Sequence, residues 1–365
     1  MQERLIALVV MGLLASPSFA QSSVTLYGSL DYGFTNLGHH IDDNVKSRNG
    51  IDSSITKSNR LGFKGTEDLG DGLKAVFVLE TGLNGDYGPM WKDSNARQSY
   101  AGLAGSFGTV AFGRQYAPQY TFIGAVDPFS NSGLGAAGNA MIQQRRLNNL
   151  AAYISPNWSG FSFIAAYTLA GTADETLENN GDVRIWVFAP SFTMDNLFVA
   201  GNYQSARRNR DNPTATPSQN VMNAWDLFAS YDFGFVKLGS SYGKRTTKDV
   251  TPNPKFTQWM LGATFKVTPN DKILTSYTRG QENDTGAGKP RISQWAVGYE
   301  HSLSKRTALY AQYAAQSWND AARGPVGFKS FMGDDGVGGV GFTQLSGGGA
   351  ADYRRGFTVG FRHDF

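Results

Sequence analysis

The sequence predicts an all-β fold, a 16-stranded antiparallel transmembrane β-barrel. Three observations predict it. Apolar and polar residues alternate with period two from Val24 onward, short and long connections alternate without a break, and Phe, Tyr and Trp recur near strand ends. Strict alternation marks strands with one apolar and one polar face. A soluble sandwich also alternates, but it explains neither the ordered connections nor aromatic bands of the kind found at two membrane interfaces.

The chain opens with "MQERLIALVVMGLLASPSFA". The apolar run Leu5–Ala15 is followed by Pro17 and by small residues at Ser18 and Ala20, which is the pattern of a cleaved secretory leader and is too short for a spanning helix. Residues 1–20 are therefore expected to be a signal peptide cut between Ala20 and Gln21, and residues 21–365 the barrel domain. No later segment approaches the roughly 18 continuous apolar residues of a helical span. No helical stretch of periodic length is expected beyond the leader.

From there each segment reads as a strand. "VTLYGSLDYGF" sets Val24, Leu26, Leu30 and Tyr32 against Thr25, Ser29 and Asp31. "RLGFKGTE" sets Leu61 and Phe63 against Arg60, Lys64 and Thr66. "GFSFIAAYTL", "NAWDLFASYDF", "QWMLGATFK" and "SQWAVGYEH" repeat the scheme. Short polar connections lie at 68–72, 105–108, 155–160, 194–196, 232–234, 268–271 and 302–306. Long Gly-, Asn- and Asp-rich ones lie near 36–58, 82–94, 115–145, 170–182, 206–221, 245–254, 280–290 and 316–353. Seven short plus eight long connections join sixteen strands of about ten residues, the length a tilted bilayer-crossing strand needs.

The last segment, "RRGFTVGFRHDF", puts Phe357, Val359, Phe361, His363 and Phe365 on one parity. Chain ends ordinarily fray. A sheet in lipid has no tolerable edge, because every backbone group must be paired within the protein. The terminal strand is therefore expected to zip against the first, Val24–Thr35, with Phe365 near the interface on the short-turn side.

Composition bounds the function. The chain has no Cys, so disulfides and thiolate metal sites are excluded. Only 17% of residues are charged and the formal charge is +3, too little to argue for nucleic acid. His39, His40, His301 and His363 lack ligand spacing, and no cofactor or metal is expected. Gly336, Gly338 and Gly341 have G-x-G-x-x-G spacing but fall in the long final loop, without the strand and helix that a nucleotide site requires. An enzyme is not expected. Asn157–Ser159 reads as a turn.

"SNRLGFKGTEDLGDGLKAVFVLETGLNGD", "RQSYAGLAGSFGTVAFGRQY", "AVDPF" and "NNLAAYISPNWSGFSF" resemble the trimeric general-diffusion porins of the Gram-negative outer membrane, in their β-proteobacterial branch. The likeness covers the whole mature chain. It implies a homotrimer in the outer membrane, a third loop folded into the lumen, and a terminal aromatic residue read by the barrel-assembly machinery. It also implies passive diffusion of small hydrophilic solutes and ions, with a channel specific for one solute as the alternative.

A barrel of this size leaves an aqueous channel that sieves by diameter and by the charges at its narrowest section. The loop at about 115–144 is the expected third loop. By resemblance to anion-preferring relatives, the constriction arginines are Arg60, Arg97 and Arg146, facing Glu80 and Asp127. Guanidinium stays charged and is weakly hydrated, which suits a narrow passage for anions. Lys64 and Lys74 share parity with lumen-facing neighbours and extend the row. Arg145 is the alternative to Arg146, since a slip of one residue swaps faces. Arg207, Arg208 and Arg210 are expected in an outer loop, either solvated or near lipopolysaccharide phosphates.

Overall fold

The computed structural model describes residues 22–40, 47–86, 88, 90–91, 96–168, 183–208, 221–248, 255–283, 289–319 and 353–365. The expected leader with Ala20 and Gln21, the loop residue Arg210 and the glycine motif at 336–341 lie outside the described residues.

One antiparallel sheet closes on itself. Its strands are β1 (Ser23–His40), β2 (Arg48–Ser53), β3 (Arg60–Gly70), β4 (Leu73–Gly82), β5 (Gln98–Gly105), β6 (Gly108–Tyr116), β7 (Arg146–Ile154), β8 (Phe161–Thr168) and β9 (Val183–Met194). They continue as β10 (Leu197–Arg208), β11 (Val221–Asp232), β12 (Val236–Lys248), β13 (Lys255–Lys266), β14 (Asp271–Asn283), β15 (Arg291–Ser302), β16 (Thr307–Trp318) and β17 (Tyr353–Asp364). All seven expected short turns are present, and the strands run further into the long connections than expected. Arg207 and Arg208 accordingly belong to β10 and not to a loop.

β2 and β3 are two halves of one crossing. Both pair with β1, Leu37↔Arg48 through Tyr32↔Ser53 for one and Ser29↔Arg60 through Ser23↔Thr66 for the other. Counted so, seventeen segments make sixteen crossings. Between the halves, residues 54–59 turn inward around Asp31. Its carboxylate accepts from the amides of Ile55 (3.3 Å), Thr56 (2.8 Å) and Lys57 (2.8 Å) and from the Tyr310 hydroxyl (2.6 Å). The sequence places 36–58 in one loop; β2 and this tethered turn correct that expectation, because backbone donors that leave the sheet still need acceptors.

The seam closes as the terminal alternation requires. β17 pairs with β1 from Ser29↔Asp364 to His40↔Tyr353. Beyond it, Gly28 N donates to Phe365 O (3.1 Å) and Phe365 N to Gly28 O (3.2 Å). The odd face of β17, Phe357, Val359 and Phe361, points outward, and Thr358 is fully buried inside.

On the outward face an aromatic side chain occurs on each strand from β9 to β17: Trp186, Tyr203, Trp225, Tyr242, Trp259, Tyr277, Trp295, Tyr313 and Phe357. Neighbours approach one another, as in Trp186–Tyr203 at 5.0 Å and Trp259–Tyr277 at 5.3 Å between ring centres. This is the interfacial girdle of a membrane barrel, at its long-loop end.

The loop between β6 and β7 lies inside the barrel. It begins with α1 (Pro118–Val126), a helix the sequence reading did not anticipate. At nine residues it is too short for periodicity to reveal, and its signal is Pro118 at the first turn, where a missing N–H costs nothing. Its buried face carries Phe122, Ile123 and Val126 against inward-facing Ile185, Val187, Ala200 and Phe228. Each such burial is worth about 1.5–3 kcal/mol.

The rest of the loop follows the wall. Leu134 N donates to Gln312 Oε1 (3.1 Å), Ile142 N to Gln258 Oε1 (2.9 Å), and Gln294 Nε2 to Ala136 O (3.1 Å). Glycines make this approach close enough. A Cβ at Gly239 would strike the Val126 carbonyl, one at Gly280 the Ala140 carbonyl, and one at Gly262 the Pro128 ring. The loop is thus seated along β9–β17, with packing that also reaches Leu37 of β1, Leu147 and Leu150 of β7 and Ala166 of β8, and the open side of the lumen lies toward β3–β6 and the start of β7.

Candidate pore constriction

On that free side the third loop faces four arginines and one carboxylate. Arg60 opens β3, Glu80 lies in β4, Arg97 immediately precedes β5, and Arg146 opens β7. Register brings them together, since Gly62 pairs with Glu80, Glu80 with Gln98, and Arg146 with Tyr116 of β6.

Glu80 is the hub. Its Oε1 is 2.8 Å from Arg97 Nε and its Oε2 3.7 Å from Arg60 Nε. The Tyr27 hydroxyl donates to Oε2 (3.1 Å) and the Tyr116 hydroxyl to Oε1 (3.2 Å). Arg97 also donates to the Tyr116 hydroxyl (2.6 Å) and, through its backbone N, to Glu80 O (2.7 Å). The Glu80 side chain is 2% exposed, against 13% for Arg97 and 22% for Arg60. The carboxylate is the most buried member of the cluster and the arginines are the more exposed. Glu80 therefore does not oppose the arginines across the opening, as expected from the sequence, but braces them on their own wall.

Two tyrosines that the sequence reading missed carry the remaining cations. Tyr116 and Tyr120 stack at 5.2 Å. Arg146 lies 5.1 Å over the Tyr116 ring, Arg97 6.0 Å over the same ring, and Arg145 5.7 Å over Tyr120. An aromatic face attracts a cation while fixing its plane. The sequence signal was available: tyrosines four apart flank Pro118 in "QYAPQY". The choice between Arg145 and Arg146 also dissolves. Arg145 precedes the strand, so alternation does not govern it, and both side chains rest on lumen tyrosines.

Lys64 takes the inward parity of β3 but lies toward the short-turn end, over the Tyr27 ring at 5.8 Å. Lys74, in β4, keeps that parity nearer still to the turn, in register with Ala104. Tyr27 reaches Glu80 by lying across Gly62, where a Cβ would meet its ring.

Asp127 departs from its expected post. It is 4% exposed, and its oxygens accept from the amides of Phe129 (3.0 Å), Asn131 (3.0 Å) and Ala137 (2.9 Å). Burial pushes its carboxyl up to about 6, with the three amides pulling the other way. It folds the loop and does not front the channel. Asp127 is also the only acidic or basic residue between Ala117 and Gln144. The open side of the loop presents Thr121, Gly124, Ser130 and Ser132. The loop therefore exposes hydroxyls and backbone there and no carboxylate.

The chain has relatives. The profile of the Gram-negative porin family matches residues 7–321. Outer membrane porin protein 32 of Delftia acidovorans is 32% identical over 376 residues, with 100% of each chain covered. An outer membrane porin protein of Bordetella pertussis is 29% identical, covering 85% of this chain and 93% of that one. Among solved structures, the anion-selective porin from Comamonas acidovorans matches with a TM-score of 0.75 and 29% identity, covering 94% of this chain and 100% of that chain.

Proposed function

The chain belongs to the Gram-negative porin family, and from that premise we propose that its outer-membrane diffusion channel favours anions through a constriction built from Arg60, Arg97, Arg145 and Arg146. The observation that carries this reading is the one-sided charge of the narrow section. Four guanidinium groups front the lumen, the adjacent carboxylate of Glu80 lies behind them, and the one carboxylate of the loop, Asp127, is buried within it.

The mechanism is electrostatic sieving. An anion entering the constriction sheds part of its hydration shell, and fixed guanidinium groups replace it at no reorganisation cost. Glu80 and the tyrosines hold the guanidinium planes toward the passage, so the ion meets donors already in place. A cation of equal size meets the same field with opposite sign. Lys64 carries the positive wall toward the short-turn mouth.

The same reading includes a homotrimer, an N-terminal leader removed between Ala20 and Gln21, and lipopolysaccharide as the lipid neighbour. Phe365 serves as the signal to the barrel-assembly machinery. Planar-bilayer recording of the reversal potential in a KCl gradient tests the charge reading. Arg60→Ser, Arg97→Ser and Arg146→Ser are each expected to move it toward cation preference. Unchanged selectivity in all three removes the arginines from the account and leaves the barrel intact.

A further inference from the structure

We infer that the outward face carries three cationic clamps for the phosphate groups of anionic lipids, one beside each of three Trp–Tyr pairs of the girdle. The inference rests on the outer-membrane reading proposed above, with the long loops placed on the outer side, and concerns residues that take no part in the proposed constriction.

The clamps share one construction. Arg184 stands two residues beyond Trp186 and Arg207 four beyond Tyr203; Lys244 two beyond Tyr242 and Lys255 four beyond Trp259; Arg279 two beyond Tyr277 and Arg291 four beyond Trp295. In each case both cations lie on the long-loop side of the aromatic pair and on its parity, so they point outward with it. Arg184 and Arg207 are directly opposite in register. Lys255 pairs with Thr246 and Arg291 with Gln281, which sets each on the diagonal from Lys244 and Arg279.

Like charges placed opposite one another on a sheet repel. None of the six forms an ion pair with a described residue. Arg279 has one neutral acceptor, Gln281 Oε1 at 3.2 Å. The carboxylate nearest to Arg279 along its strand, Glu282, has the opposite parity and pairs with inward-facing Phe256. Arg184, Arg207, Lys255 and Arg291 are exposed. Three pairs of cations with no ion-pair partner among the described residues thus stand at headgroup height, one step above rings that fix that height. A headgroup phosphate presents oxygens to both members of a pair, and guanidinium forks match it in geometry as well as sign. A lipid phosphate is favoured over a free anion because the acyl chains of the same molecule lie against the girdle and the apolar outward rows beneath it.

The test is fluorescence quenching by brominated lipids, with the full barrel in phosphatidylcholine vesicles containing either brominated phosphatidic acid or brominated phosphatidylcholine. Wild type is expected to favour phosphatidic acid at its surface by roughly tenfold. Replacing all six cations by Gln is expected to reduce the two lipids to parity. The pair variant Arg279→Gln/Arg291→Gln, which keeps four cations should the sixfold variant fold poorly, is expected to lose part of the preference. Equal quenching in wild type, or an undiminished preference in both variants, overturns the inference. Loss of the preference on adding inorganic phosphate overturns its lipid half, since a free anion would then be the occupant. Reversal potentials of the same samples report separately on the lumen arginines, so the two readings fail independently.

Discussion

The brace behind the arginines makes a quantitative prediction about charge. Arg60, Arg97, Arg145 and Arg146 against Glu80 leave 4 − 1 = +3 at the proposed constriction. Glu80→Gln raises this to +4, Arg97→Ser lowers it to +2, and the double variant restores +3. A unit charge about 8 Å from a passing ion is worth about 0.5 kcal/mol at the dielectric of water. Because it attracts an anion and repels a cation, the anion-to-cation permeability ratio moves by about 1 kcal/mol, or roughly fivefold. At 0.1 M salt a Debye length of about 10 Å reduces the effect to roughly twofold. The assay is the reversal potential in a KCl gradient, repeated at low and high salt. The ratio is expected to rise in Glu80→Gln, to fall in Arg97→Ser, to return near wild type in the double variant, and to converge for all four at high salt. A double variant as impaired as Arg97→Ser alone would refute the reasoning, because position and not net charge would then govern permeation.

Further outcomes follow from the loop and the seam. Gly239→Ala and Gly280→Ala place a Cβ against the backbone carbonyls of Val126 and Ala140; both are expected to lift the loop and raise open-channel noise, and quiet channels would count against the seating described. Asp127→Ala leaves three buried amides without acceptors, costing about 1–3 kcal/mol for each one left unsatisfied; the loop is expected to become sensitive to added protease, and a resistant loop would contradict that role. Burial lifts Asp127 from 3.8 to about 6, so the folded loop binds its proton more tightly than the unfolded chain. This group's contribution therefore weakens stability as pH rises through that window. In heat-denaturation profiles, wild type should lose stability relative to Asp127→Asn from pH 4 to pH 7, and a relative gain would reverse the assignment. Removing residues 354–365 exposes edges on β1 and β16; no heat-modifiable folded band is expected on gels, and a normal band would show that the seam is dispensable.

Much of this was legible from period two alone. In lipid the alternation is enforced on every strand, since a charge on the outward face at mid-membrane costs about 2–4 kcal/mol. Leu26, Phe63 and Phe361 had no freedom to face inward, and the strand count and turn positions followed from them. What stayed hidden was chosen inside the lumen, where water tolerates many arrangements. Asp127 looks the same in sequence whether its carboxylate meets a solute or its own backbone. Glu80 shares parity with the arginines, but only register shows it behind them. Segment 54–59 is polar like any loop, and its inward turn depends on Asp31, which lies on another strand. α1 was missed because nine residues hold too few turns to show a period.

The junction between Gly28 and Phe365 has a consequence for synthesis. Thr358 and Phe34, 324 positions apart, are joined by the same seam, so the earliest-made strand must wait, half its hydrogen bonds unmet, until the latest has been delivered. Hairpins can gather one by one along the nascent polypeptide, but the ring has no stable intermediate size. A cell therefore obtains either a finished conduit or an open ribbon, and the pairing of β17 with β1 decides which.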